Sequence, residues 1–545
     1  MLADLLAPGS NDVRLHLLDE GVELTLGDLW RRADAVAGWL ATLEGRPAAM
    51  VLTNSAACVT VLVGALVHGA HVVSLPPPWP GADATSYGRF LSDCCDRAGA
   101  DHLVVDARYL SALPPVATVT AVSYEEVGGG VGARPLARSP FVLTQFTSGS
   151  TTEPKGVVLD EAAIEANVRA ILEWLGPEPG EGACSWLPLS HDMGLIGLFL
   201  TALVGGGPGW ADGADLVLLT PEGFRRDPRC WLRACAAYRS AVTAVPNLAL
   251  EMAMRRPPGD LDLGALRTCI VGAEPIRPDT LRRFEAVYRR HGFGPLAFSP
   301  AYGLAECTLA VAGVRPAERW TSSPPPPGST EGGTGTPWAG EVEVVSCGSP
   351  LTGLEVRVDG AEDRRGTAGR GVRAGAPAPS GPFAGTVSVR GRSVARTYDD
   401  GAPVAGGDGW FETGDLGWLD GGQLFVVGRR EDLLFVAGRN VHAVDVERVV
   451  GEVAGIRSAR VAAVQPAPDT LVVVAEFERR STAPDDEVRR MSDQARRQVV
   501  RRLGVSPHLV VLVPRGRLAV TASGKPRRGA VLESIARCPP GDAAC

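Results

Sequence analysis

Short apolar runs rich in β-branched residues, separated by amphipathic helical stretches, limit this chain to a few architectures. "AAMVLT", "HVVSL" and "HLVVD" alternate with patterns such as "LGDLWRRADAVAGWLATL" over residues 1 to about 140, the rhythm of βαβ units around a parallel sheet. A second set runs from Val142 to about Gly313, with "LRTCIVGAE" as strand and "DTLRRFEAVYRRHG" as helix. Residues 315–341 form a Pro/Gly/Ser-rich insert with little apolar surface to bury, which reads as a loop. Strand signals then follow in "VSCGSPL", "LEVRVDG" and "GTVSVRG", and a last block of mixed patterns begins at Glu431. The expected fold class is α/β. A large N-terminal domain, residues 1–430, holds two α/β subdomains with parallel-type sheets and a small β-rich subdomain; a small α+β C-terminal domain follows at 431–545.

Composition narrows the function. A chain of 545 residues needs more than one core. Its formal net charge of -8, without a sustained basic stripe, argues against nucleic acid or an anionic membrane as partner. The apolar stretches Val59–Val67 and Leu195–Val204 are too short to span a bilayer, so no stable membrane insertion is expected. The eleven cysteines contain no C-x-x-C pair and outline neither a zinc site nor a disulfide framework. The N-terminus lacks the basic start and apolar core of a secretion signal, and a cytoplasmic protein acting on a small molecule is expected.

The stretch "LTQFTSGSTTEPKGVVL", Leu143–Leu159, places hydroxyl residues and glycine between two strand patterns. Glycine lets the backbone approach a ligand, successive N–H groups and hydroxyls donate to phosphate oxygens, and lysine adds a point charge. This is not the ATPase P-loop, whose lysine follows a glycine and precedes a hydroxyl; here Lys155 lies between Pro154 and Gly156. Alone, the stretch reads equally as a polar hairpin turn.

Read in order, "TSGSTTEPKG", "WLPLSHDMGLIG", "IVGAEPIRP", "PAYGLAECTLAV", "VSCGSPL", "WFETGDLGWLDGGQLFVVGRREDLLFVAGRN" and "TASGKPRRG" resemble the adenylate-forming superfamily, in its acyl-CoA synthetase and fatty acyl-AMP ligase branch. The resemblance covers about Leu24 to Leu532. It implies ATP-dependent activation of a fatty or bulky carboxylic acid as an acyl-adenylate, with transfer to the thiol of CoA or of phosphopantetheine on an acyl carrier protein. Thr147, Ser148, Gly149, Ser150, Thr151 and Lys155 would cradle the β- and γ-phosphates. Glu306 would help hold Mg²⁺, and Tyr302 would pack on adenine. Asp415 would accept both ribose hydroxyls with Arg429 in support. Gly272, Ala273, Glu274, Ala301, Gly303, Leu304 and Ala305 complete the nucleotide site. Lys525 would stabilise charge at the forming acyl-phosphate link. The small domain would be mobile about a hinge at Arg430 and Glu431, where relatives usually carry Lys or Asp.

His191, Ser190, Asn247 and Ser299 would line the acyl pocket, although His191 reads equally as a core histidine. Ser190 and Ser299 stand where relatives often carry aromatics. If their side chains reach the pocket, they enlarge it for a bulky acid. The insert, which impedes the use of CoA in fatty acyl-AMP ligases, has few apolar anchors here, so either acceptor fits. Two other readings stay open: a single half-reaction, and a non-catalytic nucleotide or acyl binder.

Overall fold

The computed structural model describes residues 2–6, 13–78, 84–110, 113, 119–128, 139–147, 154–205, 214–256, 259–326, 343–359, 370–373, 384–437, 439–478, 485–520 and 526–537. Two predominantly parallel sheets dominate. The first has seven strands in the order Thr397–Tyr398, Lys155–Asp160, Val142–Thr147, His71–Leu75, Ala48–Val51, His102–Val105 and Thr120–Ser123. The second has nine, in the order Ser349–Pro350, Ala310–Gly313, Phe298–Gly303, Thr268–Val271, Val242–Val245, Ala183–Ser185, Asp215–Leu218, Arg14–Leu17 and Val22–Thr25.

The α/β class agrees with the expectation, but the division of the chain near residue 140 does not. The N-terminal hairpin of Arg14–Leu17 and Val22–Thr25 belongs to the second sheet, beside Asp215–Leu218. Residues 142–160 belong to the first, beside His71–Leu75. Apolar periodicity identifies a strand but carries nothing about its neighbour. That choice rests on long-range contacts, such as those of Asp215 Oδ1 with Arg14 Nε at 3.0 Å and His16 Nε2 at 2.9 Å.

Helix Ala56–His68 is buried continuously from Cys58 to Val67, as its all-round apolar composition requires. Its C-cap Gly69 takes φ +69, and a Cβ there would fall 1.5 Å from the Ser139 carbonyl oxygen. Among the described residues no helix is long and apolar enough to cross a membrane, and every cysteine is free.

A third, five-stranded antiparallel sheet follows, ordered Arg370–Arg373, Leu354–Asp359, Ala384–Gly391, Phe411–Asp420 and Gln423–Arg429. One hydrophobic cluster extends from Leu6 through both α/β sheets to Leu424. A separate one, Leu434 to Val510, fills the C-terminal part. There the sheet of Ile456–Ala467, Thr470–Phe477 and Leu509–Val513 packs with helices Ala443–Gly451, Asp485–Leu503 and Arg528–Arg537.

The start of the insert is anchored, contrary to the reading as an unpacked loop. Trp320 is buried, donates Nε1–H to Glu285 Oε1 at 2.7 Å and lies beneath the Arg282 guanidinium. Beyond it, Ser322–Ser323 pairs with Val344–Val345; residues 327–341 lie outside the described residues. A single aromatic residue supplies the anchor that the polar composition concealed. W320A should lower stability by about 3 kcal/mol, read as an earlier first transition in urea unfolding, with W320F losing less.

Candidate active site

The parallel strands of the second sheet end along one edge, and ligands of open α/β sheets bind outside such carboxyl ends. Ala183–Ser185 leads to Ser190 and His191, Val242–Val245 to Asn247, Thr268–Val271 to Gly272, Ala273 and Glu274, and Phe298–Gly303 to Leu304, Ala305 and Glu306. The turns here are tight. Ala273 adopts φ +65 and Thr308 φ +70. A Cβ at Gly303 would sit 1.9 Å from the Leu309 carbonyl oxygen, so only glycine fits.

Glu306 lies on the short 3-10 turn Ala305–Cys307. The segment behind it is pinned by fully buried Asn167, which donates to Ala310 O at 2.9 Å and accepts from Ala310 N–H at 3.0 Å. Ahead of it, His191 Nδ1 lies 2.6 Å from Asp192 Oδ1, and Asp192 also accepts the Met193 N–H at 2.7 Å. These residues open a buried π-helix, Met193–Leu200, a rare element found most often at functional sites. Gly194 admits it against the Pro188 carbonyl, where a Cβ would be 2.3 Å away.

Asn247 and Ser299 have structural tasks. The Asn247 amide donates to Glu251 Oε1 at 3.2 Å and accepts the Arg277 N–H at 3.0 Å. Ser299 is buried within its strand and donates its hydroxyl to the Val314 carbonyl, a role in strand packing that needs no acyl pocket. Glu274 Oε1 accepts the Leu248 N–H at 2.5 Å.

The third sheet brings in the charge. Asp415 and Arg429 are paired residues of adjacent strands. Arg429 Nε lies 3.1 Å from Asp415 Oδ1, and its Nη1 donates to Thr413 O at 3.0 Å. The Tyr302 hydroxyl, from the second sheet, donates to Asp415 Oδ2 at 2.6 Å. Each carboxylate oxygen keeps a second lone pair for a further donor. Burial raises the Asp415 pKa above the usual carboxylate range, against the opposing pull of Arg429 and Tyr302. Burial also raises the Glu306 pKa; Arg429 opposes this and the charges of Asp192 and Asp415 add to it. Tyr302 is pushed far above the usual phenol range by burial and by Asp415.

The phosphate-loop candidate follows the carboxyl end of Val142–Thr147. Ser148, Gly149, Ser150 and Thr151 lie outside the described residues, as does Lys525. Lys155, at the first position of Lys155–Asp160, places its ammonium 3.5 Å from the ring centroid of Tyr398. Tyr398 pairs with Val157 across the sheet edge. Next to it, Asp399 accepts the Gly156 N–H at 3.0 Å and two bonds from Arg97, at 2.6 and 3.1 Å. Sequence reading missed Tyr398, Asp399, Arg97 and Asn167. One compositional signal also went unused. Of the 54 lysines and arginines only two are lysines, Lys155 and Lys525. Where arginine serves everywhere else, these mark places suited to a compact ammonium.

The residues assigned to a hinge have ties on both sides. Arg430 donates to Glu412 Oε1 at 2.5 Å and to Thr386. Asp432 pairs with Arg528, which also binds Glu447 through two bonds of 2.7 and 2.9 Å.

A family model described as AMP-binding enzyme matches residues 9–399. A putative ligase of Mycobacterium tuberculosis is 30% identical over 550 positions, covering 93% of this chain and 94% of its own. Long-chain-fatty-acid–AMP ligase FadD26 of Mycobacterium marinum is 33% identical over 430 positions, covering 74% and 70% respectively. A solved structure from work on fatty acyl-adenylate ligases of E. coli and L. pneumophila superposes with a TM-score of 0.84 at 24% identity, covering 98% of each chain.

The Asp399 ties yield a stability prediction. D399A removes two bonds of the Arg97 guanidinium and the acceptor of the Gly156 N–H and should cost about 3 kcal/mol, measured by urea unfolding, with R97A costing less because Asp399 keeps the amide bond.

Proposed function

The chain belongs to the AMP-binding enzyme family, the adenylate-forming ligases, and from that premise we propose that it activates a long-chain or similarly bulky apolar carboxylic acid with ATP and passes the acyl group to a thiol. The observation that carries this reading is the buried Asp415 carboxylate, held by Tyr302 and Arg429 and facing Glu306 across the carboxyl edge of the second sheet. It supplies acceptors for a ribose diol beside a second carboxylate suited to the phosphate end.

The acid's carboxylate attacks the α-phosphorus of ATP, an acyl–O–P link forms and pyrophosphate departs. Lys155 and the loop at 147–151 bind the β- and γ-phosphates, so charge on the leaving group is met by donors already in place. Among the described residues no three His, Cys, Asp or Glu side chains gather as a metal cluster. Glu306 as a single carboxylate suits Mg²⁺, which binds through one or two carboxylates and otherwise keeps phosphate oxygens and water. When bound, that ion would offset triphosphate charge. Lys525, on the small C-terminal domain, stabilises the charge at the acyl-phosphate link. Rotation of that domain about Glu431 then admits the thiol.

Phosphopantetheine on an acyl carrier protein is the favoured acceptor. The start of the insert that limits CoA use in fatty acyl-AMP ligases is anchored here by Trp320, which supports this preference.

ATP–pyrophosphate exchange with dodecanoate and hexadecanoate, followed by acyl transfer to CoA or to carrier protein, tests the proposal; absence of exchange with any acid would overturn it. D415A should raise KM for ATP by roughly 10- to 100-fold, the worth of hydrogen bonds to a charged group. K525A should lower exchange about 100-fold or more while still forming thioester from synthetic acyl-adenylate. Glu306 and Asp415 act ionised and both pKa values are raised, so kcat/KM for ATP falls as pH drops, starting above the usual carboxylate range. E306Q, already lower at neutral pH, should lose the part of that acid limb due to Glu306, checked in pH profiles of the exchange reaction.

A further inference from the structure

Tyr398 has no part in the roles above, yet its ring lies against the Lys155 ammonium. Its backbone is fixed by pairing with Val157, and its neighbour Asp399 is fixed by Gly156 and Arg97. Ring and lysine therefore belong to one sheet edge, and the long Lys155 side chain alone bridges from its strand to the ring face. The phenol lies within electrostatic reach of Glu306 and Arg429. Lys155 is exposed, with its ammonium 3.5 Å from the ring centroid of Tyr398.

We propose that Tyr398 is a positioning residue for adenylation: its aromatic face holds the Lys155 ammonium beside the carboxyl end of strand Val142–Thr147, and stays under it while the β- and γ-phosphates bind. The proposal rests on the reading of Lys155 as a phosphate ligand. A lysine stem has many rotamers to lose on binding, and an attraction to the ring face that restricts them beforehand reduces what ATP must order. The ring, and not the hydroxyl, is the part required.

Y398L should raise KM for ATP about tenfold in ATP–pyrophosphate exchange, with KM for the acid unchanged, while Y398F stays within twofold of the parent. In a K155M background Y398L should add less than twofold, because its effect passes through the lysine. A second readout needs no turnover. Lys155 and Lys525 are the only lysines, so amine-selective acetylation followed by peptide mass mapping gives the Lys155 rate with Lys525 as internal reference. Y398L should raise that ratio at least threefold and Y398F should not. Should Y398L misfold, Y398M takes its place.

A KM for ATP within twofold of the parent in Y398L would overturn the proposal. So would a Y398F loss equal to that of Y398L, or a full Y398L effect in K155M. If the unaltered protein showed no exchange with any acid, the adenylation reading would fall, and the labelling ratio would still decide whether the ring holds the lysine.

Discussion

A carboxylate buried between a phenol and a guanidinium holds the active edge together. Asp415 and Arg429 come from the antiparallel sheet and Tyr302 from the nine-stranded one. Taking such a charge out of water is costly, and losing one partner leaves the other charge stranded. The interaction therefore serves specificity more than stability: the polar groups are satisfied only when the two sheets dock in one way. The same contact sets the edge at which we propose the nucleotide binds, so docking of the sheets and the shape of that edge arise together.

The first sheet adds the third wall through Lys155, Gly156 and the ties to Asp399. Because Asp399 lies 243 residues beyond Gly156 in sequence, the start of strand Lys155–Asp160 depends on a segment that folds onto it from far along the chain. This explains why the chemistry-bearing motifs are scattered. Each sheet contributes one short stretch at a carboxyl end or edge, where the backbone turns outward and polar groups reach a ligand.

Much of this was legible in the sequence, for identifiable reasons. Tyr302, Glu306, Asp415 and Arg429 sit in Gly-containing motifs whose order is distinctive, and the structure brings them together. The strands Ala48–Val51, His71–Leu75 and His102–Val105 followed from apolar patterning. Strand neighbours did not, because periodicity is blind to pairing, and so the N-terminal hairpin fell in the wrong subdomain. Trp320 was hidden by its polar surroundings. Tyr398 and Asp399, in the plain string "ARTYDD", have no local signature; their roles come from a strand pairing and an ion pair across the fold. At Ser299, a motif position, the hydroxyl donates to the Val314 carbonyl, a tie that the motif does not announce.

The near absence of lysine has a chemical consequence. An acyl-adenylate is an acylating agent, and an unprotonated amine that meets it forms an amide and expels AMP. A guanidinium stays protonated at any physiological pH and does not compete. With arginine at all other basic lysine-or-arginine positions, the surface that surrounds this reactive product offers it almost no nucleophilic side-chain amines. Side-chain amines that could take the acyl group are thereby confined to Lys155 and Lys525.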